Sequence, residues 1–145
     1  MAELTRFQTR IDPASVLVTS LGGDCPSRMV YENGRRTDTP VTWRDGAVRR
    51  FPGSISVDGS GLPGADIETV TPLEEAPAGM VYRAEGLVEL SVRADARPGF
   101  GDRGPRGVLA VTVRIERLVP VGNVMDLLRH APAAPTTPKR GAEAS

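Results

Sequence analysis

Alternation of apolar and polar positions is densest between Met80 and Leu118. Val88, Leu90 and Val92 repeat with a period of two, and Leu87, Glu89, Ser91 and Arg93 occupy the intervening positions. That period is the mark of a half-buried strand. Leu109, Val111, Val113 and Ile115 repeat in the same way, against Val108, Ala110, Thr112, Arg114 and Glu116. The pattern predicts two long strands, Met80–Ala94 and Val108–Leu118, joined by a loop, Asp95–Gly107. Gly86 interrupts the first of them and predicts a bulge or a bend at a barrel corner.

Shorter strands are expected before this pair. Ser15–Leu21 is apolar and β-branched and ends at Gly22-Gly23. Asn33-Gly34 lies between Arg28–Glu32 and Arg35–Asp38, and Asp45-Gly46 lies between Val41–Arg44 and Ala47–Phe51. Both dipeptides suit the two positive-φ positions of a type I′ hairpin turn. Ser54–Val57 and Ile67–Thr71 are further strand candidates, and Asp58–Gly64 reads as a loop. Residues 1–14 fit a short strand or a single turn equally well, because Asp12-Pro13 stops any helix that Leu4, Phe7 and Ile11 could start. After Pro120 the spacing of Val124, Leu127 and Leu128 predicts a short helix within Val121–His130, with Asn123 as its N-cap. Ala131–Ser145 is rich in Ala, Pro and Thr without periodicity and reads as a disordered tail. The expected organisation is a β-barrel domain over residues 1–119, a short helix over 120–130 and a tail over 131–145.

Composition narrows the chemistry. The 145 residues suffice for one domain with a real core. Formal net charge is zero, but the charges are segregated. Residues 28–50 hold six arginines against three acids, whereas residues 58–75 hold five acids and no basic residue. Lys139 is the one lysine beside seventeen arginines. Arg forks suit phosphate, although Arg, Ala, Gly and Pro codons are also those of a GC-rich bacterial genome. Cys25 is alone, which excludes a disulfide framework and a cysteine metal site. His130, the one histidine, stands at the edge of the tail. No nucleophile–base pair, spaced carboxylate pair or phosphate loop is present. The chain is therefore expected to be non-enzymatic, with no cofactor, no metal and no small-molecule substrate. It lacks a secretory leader pattern and any apolar run near ~18 residues, so a cytoplasmic location without membrane association is expected.

Two clusters could bind an anionic polymer. Arg44, Arg49 and Arg50 fall near the tip of the second hairpin. Arg97, Arg103 and Arg106 surround Phe100 in the long loop. Trp43 and Phe100 either stack on a ligand or fold into the core. A base stacked on an exposed ring is worth ~1–3 kcal/mol.

The second half carries a resemblance. An aromatic at a strand opening, then Glu85-Gly86-Leu87, an alternating strand, a Gly/Arg-containing loop and a final strand with a charged end resemble the small replication, integration and excision activator proteins of actinobacterial integrative plasmids. Thr37–Trp43 is similar to their turn followed by a Trp-bearing strand. Asp45–Gly64 and Val121–Ser145 have no counterpart there. Related mobile-element proteins look like OB-type barrels similar to the single-stranded-DNA-binding protein of filamentous phage. The resemblance implies an all-β fold, a small OB-like antiparallel barrel, either closed or opened into a sandwich. It also implies a mobile-element accessory protein that binds single-stranded DNA and supports plasmid replication or transfer. The binding residues would be Arg44, Arg49, Arg50, Tyr82, Arg97, Phe100, Arg103 and Arg106. Zero net charge implies that tight binding needs a homo-oligomer, a dimer foremost, to bring two basic edges together. The alternative is a protein-interaction or assembly module of a plasmid or phage that uses its sheet edge and has no nucleic-acid role.

Overall fold

The computed structural model describes residues 6–97 and 106–130. Its first strands are β1 (Arg6–Arg10), β2 (Val16–Ser20), β3 (Gly23–Asp24), β4 (Met29–Glu32), β5 (Arg35–Pro40), β6 (Thr42–Trp43) and β7 (Gly46–Ala47). There follow β8 (Arg49–Phe51), β9 (Gly53–Val57), β10 (Ser60–Gly61), β11 (Asp66–Thr69) and β12 (Glu75–Ala76). The long pair is β13 (Met80–Arg97) and β14 (Arg106–Asn123), and the chain then enters helix α1 (Val124–His130). The all-β expectation holds. The main sheet is a curled half-barrel in the order β10-β9-β2-β13-β14-β11-β8. β1 pairs with the distal half of β13, on the same edge that β2 occupies nearer its start. Among the described residues no pairing joins β10 to β8, so the barrel is open there.

One pairing departs from the antiparallel expectation. β11 runs parallel to β14, with Asp66 opposite Thr112 and Thr69 opposite Ile115. A parallel neighbour needs a crossover, and here residues 70–79 carry the chain past β14 to the start of β13, which then runs back antiparallel to the start of β14. Within this crossover β12 pairs with β3, and Ala76 and Leu73 pack onto the core. Where β11 ends, the Thr71 hydroxyl accepts the Leu118 N–H at 2.9 Å, replacing the missing ladder bond.

β13 and β14 are longer than the alternation suggested: β13 runs on to Arg97, and β14 begins at Arg106 and runs through Pro120 to Asn123, so the helix starts at Val124 rather than Val121. Gly86 forms the bulge. Glu85 pairs with Arg117 and Val88 with Ile115, so Gly86 and Leu87 together oppose Glu116. The extra residue changes the spacing of buried positions. Ala84 and Val88 are four apart on β13, whereas Ile115 and Leu118 are three apart on β14. Gly86 has φ +78°, and a Cβ there would overlap the Glu116 carboxylate. That carboxylate accepts the Leu87 N–H at 3.2 Å and the Arg44 Nε–H at 2.9 Å. Glu116 thus caps the bulge and ties it to the β6–β7 hairpin.

The core lies on the inner face of the curl. Val16, Val18, Ile55, Val88, Val113 and Ile115 are buried there, and each such side chain contributes roughly 1.5–3 kcal/mol. Phe51 and Tyr82 meet edge to face, with ring centroids 5.3 Å apart. Gly53 is required beside them, since a Cβ would approach Thr19 O to 2.5 Å.

Three of the hairpins turn on paired positive-φ residues. Asn33-Gly34 does so as expected. The second hairpin turns on Arg44-Asp45 (φ 52° and 64°) rather than Asp45-Gly46. Gly46 lies in β7 because its backbone passes Val70 too closely for a side chain: a Cβ would sit 2.8 Å from the valine Cβ. The third turn, Asp58-Gly59 between β9 and β10, falls where a loop was expected. Of the stretch expected to form a strand or a turn, residues 6–15 form β1 and a short 3-10 turn, Pro13–Ser15, whose Asp12 side chain accepts the Ala14 N–H at 3.0 Å; residues 1–5 lie outside the described residues. Asn123 caps α1 as expected, accepting the Met125 N–H at 2.9 Å. The expected tail, residues 131–145, lies outside the described residues.

Candidate functional site

Strand register sets the outer face of the curl. Arg10 pairs with Glu89, Glu89 with Arg114, Arg114 with Glu68, and Glu68 with Arg50. Directly opposed residues share a face, so β1, β13, β14, β11 and β8 carry one row of alternating charge, plus-minus-plus-minus-plus. Adjacent strands are ~4.8 Å apart, so the row spans roughly 19 Å. The next row outward is neutral and polar: Gln8, Ser91 and Thr112, ending at Asp66. Beyond it Arg6 opposes Arg93. These rows floor an open groove of about 400 Å³, with Arg28 and Val41 leaning over one side.

Glu68 anchors the charged row. Its side chain is 4% exposed. Arg28 donates to Oε2 at 2.8 Å, and Arg114 donates to Oε1 through Nε at 3.1 Å and Nη2 at 2.9 Å. A buried carboxylate needs such partners, because an uncompensated one costs several kcal/mol. The Arg114 guanidinium also lies 5.7 Å from the centre of the Trp43 ring, within cation–π range. Arg28 is brought in by a short extension of the sheet: the Arg28 N–H donates to Val48 O at 2.8 Å and the Arg50 N–H to Pro26 O at 2.9 Å. Arg6 Nε donates to Ser91 Oγ at 3.2 Å. Among the described residues the groove lining holds five arginines against Asp66, Glu68 and Glu89, a formal excess of two positive charges.

The residues expected at the site separate. Arg50 lines the groove. Arg49, its neighbour along the strand, takes the other face and donates to Cys25 O at 3.1 Å. Arg44 is held by Glu116 at the bulge. Tyr82 is 4% exposed, packed on Phe51 in the core, so its ring cannot meet a ligand on the outer face. Arg97 and Arg106 oppose each other at the end of the long hairpin; their side chains, and all of Phe100 and Arg103, lie outside the described residues. Trp43 is half-buried under Arg114. Sequence reasoning missed the rows themselves. It placed Glu89, Arg93 and Arg114 on outer strand faces, but joining them to Arg6, Arg10 and Glu68 requires the strand order.

Two other titratable groups are perturbed in the interior. Burial pushes the Cys25 thiol up, against the opposing effect of Arg49, and burial likewise raises the Tyr82 phenol. At the bulge, the hydrogen bond from Arg44, and then that from Leu87 N–H, lower the Glu116 carboxyl. Among the described residues no three His, Cys, Asp or Glu side chains are grouped to hold a metal ion, and no helix is long and apolar enough to cross a membrane. No family model, curated protein or solved structure matches the chain.

Proposed function

We propose that this protein is a non-enzymatic binding module, and that the groove on the outer face of its sheet takes single-stranded nucleic acid. The observation that carries the reading is the convergence of five arginines, from five separate segments, over a polar floor in which they outnumber the acids among the described residues. Glu68 holds two of them, Arg28 and Arg114, as a fixed base. Arg6 and Arg50 stand at the groove's two walls, where a chain of phosphates could pass. Among the described residues no aromatic ring lines this groove, so the reading is of backbone contact without base readout. In this reading the half-barrel is an OB-like scaffold, and the protein is an accessory of a mobile element, supporting plasmid replication or transfer in the cytoplasm. A dimer would double the basic surface, offsetting the neutral total charge.

Fluorescence anisotropy of a labelled oligonucleotide tests the proposal. With about two phosphates contacted, log affinity should fall with log salt at a slope of about −1.4 for a single strand. Arg50→Glu and Arg6→Glu, on opposite walls, should each weaken binding at least tenfold at low salt. A flat trace at low salt with micromolar protein refutes nucleic-acid binding. Equal binding by both variants refutes the groove as its site.

A further inference from the structure

We infer that the outer edge of β1, unpaired among the described residues, is a docking site for an extended strand of a protein partner, acidic on one face and apolar on the other. This goes beyond nucleic-acid binding and stands on different observations. All five residues of β1 are exposed, although its other edge is fully paired to β13. The ladder fixes which backbone groups are open. Ile11 N–H donates to Val88 O at 3.0 Å, and antiparallel pairs alternate between bonded and non-bonded. Phe7 and Thr9 therefore direct their amides and carbonyls at β13. Arg6, Gln8 and Arg10 direct theirs outward. Among the described residues, a long 3.5 Å contact from the Thr9 hydroxyl to Arg10 O is the one hydrogen bond recorded for those outward groups.

The side chains specify what fits. Arg6 and Arg10 flank the strand on the groove face, with Gln8 between them. Phe7 projects from the opposite face and is 55% exposed. It continues a cross-strand apolar row through Val92 and Val111. A strand added here places alternate side chains opposite Arg6, Gln8 and Arg10, and the others beside Phe7. The matching sequence is acid–apolar–polar–apolar–acid. A second copy of β1 does not match: antiparallel pairing centred on Gln8 sets Arg6 against Arg10 at both ends. Like charges directly opposed are destabilising, so the arginines exclude self-pairing while admitting an acidic strand.

The probe is a capped peptide containing Glu-Val-Gln-Val-Glu, added to the full-length protein and read by amide hydrogen exchange and amide chemical shifts. At ten times the measured Kd, exchange at Arg6, Gln8 and Arg10 should slow by about tenfold. Phe7 and Thr9, already bonded to β13, should be protected with or without peptide. Replacing both Glu by Lys in the peptide should abolish binding. Gln8→Pro removes an outward N–H without touching the β13 ladder, a placement that edge strands tolerate, and should weaken Kd about tenfold. Because Gln8→Pro leaves Arg6, Arg50 and Arg93 in place, peptide and oligonucleotide binding can be lost separately. Unchanged exchange at Arg6, Gln8 and Arg10 with millimolar peptide overturns the inference. So does equal binding of the Glu and Lys peptides, or wild-type affinity in Gln8→Pro.

Discussion

Arg114→Met tests whether the charged row is held by Glu68 or is merely a surface pattern. Methionine keeps most of the length of the side chain and removes only its charge and hydrogen bonds. Glu68, at 4% exposure, would then retain Arg28 alone, on Oε2 at 2.8 Å. Removing one partner of a buried ion pair costs roughly 3–5 kcal/mol when nothing compensates. Here Arg28 still compensates, so about half of that, ~2 kcal/mol, is the expected loss. The lost cation–π contact with Trp43 adds ~0.5–1 kcal/mol. The total, ~2.5–3 kcal/mol, corresponds to a melting temperature lower by roughly 10 °C for a domain of this size. Arg50→Met is the internal comparison. Arg50 stands in the same row, opposite Glu68 in register, but is exposed. Its loss should cost no more than ~0.5 kcal/mol. Urea unfolding followed by far-ultraviolet circular dichroism measures both, at constant m-value. Combining Arg114→Met with Glu68→Gln completes a double-mutant cycle, in which a coupling of ~1.5–2 kcal/mol is expected. Equal costs for the Arg114 and Arg50 variants, or a coupling near zero, would refute the anchoring role of Glu68.

Gly86→Ala should cost ~2 kcal/mol in the same unfolding assay, from a left-handed backbone that alanine resists and from displacement of Glu116 off the Leu87 N–H; a loss under ~0.5 kcal/mol would show that the bulge does not depend on this glycine. Because Arg44 and Leu87 lower the Glu116 carboxyl, its contribution is present above the ordinary pKa of 4.5 and disappears as pH falls through the depressed folded value. Arg44→Ala should therefore be less stable than wild type at neutral pH, with the difference closing in acid; a gap that stays unchanged throughout the acid titration would contradict the linkage. Cys25 is 1% exposed, so a thiol reagent should label it only at the rate of opening, and fast labelling of the native protein would place it elsewhere. Since burial raises the thiol, that contribution is complete below the ordinary pKa of 9.0 and is lost as pH rises through the higher folded value. Cys25→Ala should flatten stability against pH on the alkaline side.

Much of the fold was legible because it is locally encoded. The period of two in Val88–Val92 and Leu109–Ile115 gave the long pair, Asn33-Gly34 gave a hairpin, and Asn123 gave the helix cap. The misread turn at Arg44-Asp45 came from taking glycine as a marker of positive φ. Gly46 is needed instead for its missing side chain, against Val70, a contact between residues distant in sequence. Asp58-Gly59 is the converse: its hairpin signal was local, but β10 has only two residues, too few to show alternation. The parallel seating of β11 on β14 was not legible at all, since it depends on residues 70–79 carrying the chain past β14 before β13 runs back.

That seating also decides the site. The acids of residues 58–75 looked segregated from the arginines of residues 28–50, as two faces of opposite sign. The parallel pairing slides Glu68 directly beside Arg114, and the next pairing sets Arg50 on its other side. Segregation along the chain thus becomes alternation across the sheet. A zero net charge is then no argument against an anionic ligand. The acids that balance the total are partly consumed inside the row, Glu68 by Arg28 and Arg114, while the formal excess of positive charge stays in the groove. Field at a surface depends on which charges are already paired at that surface. For this chain the pairing follows from strand order, which composition does not carry.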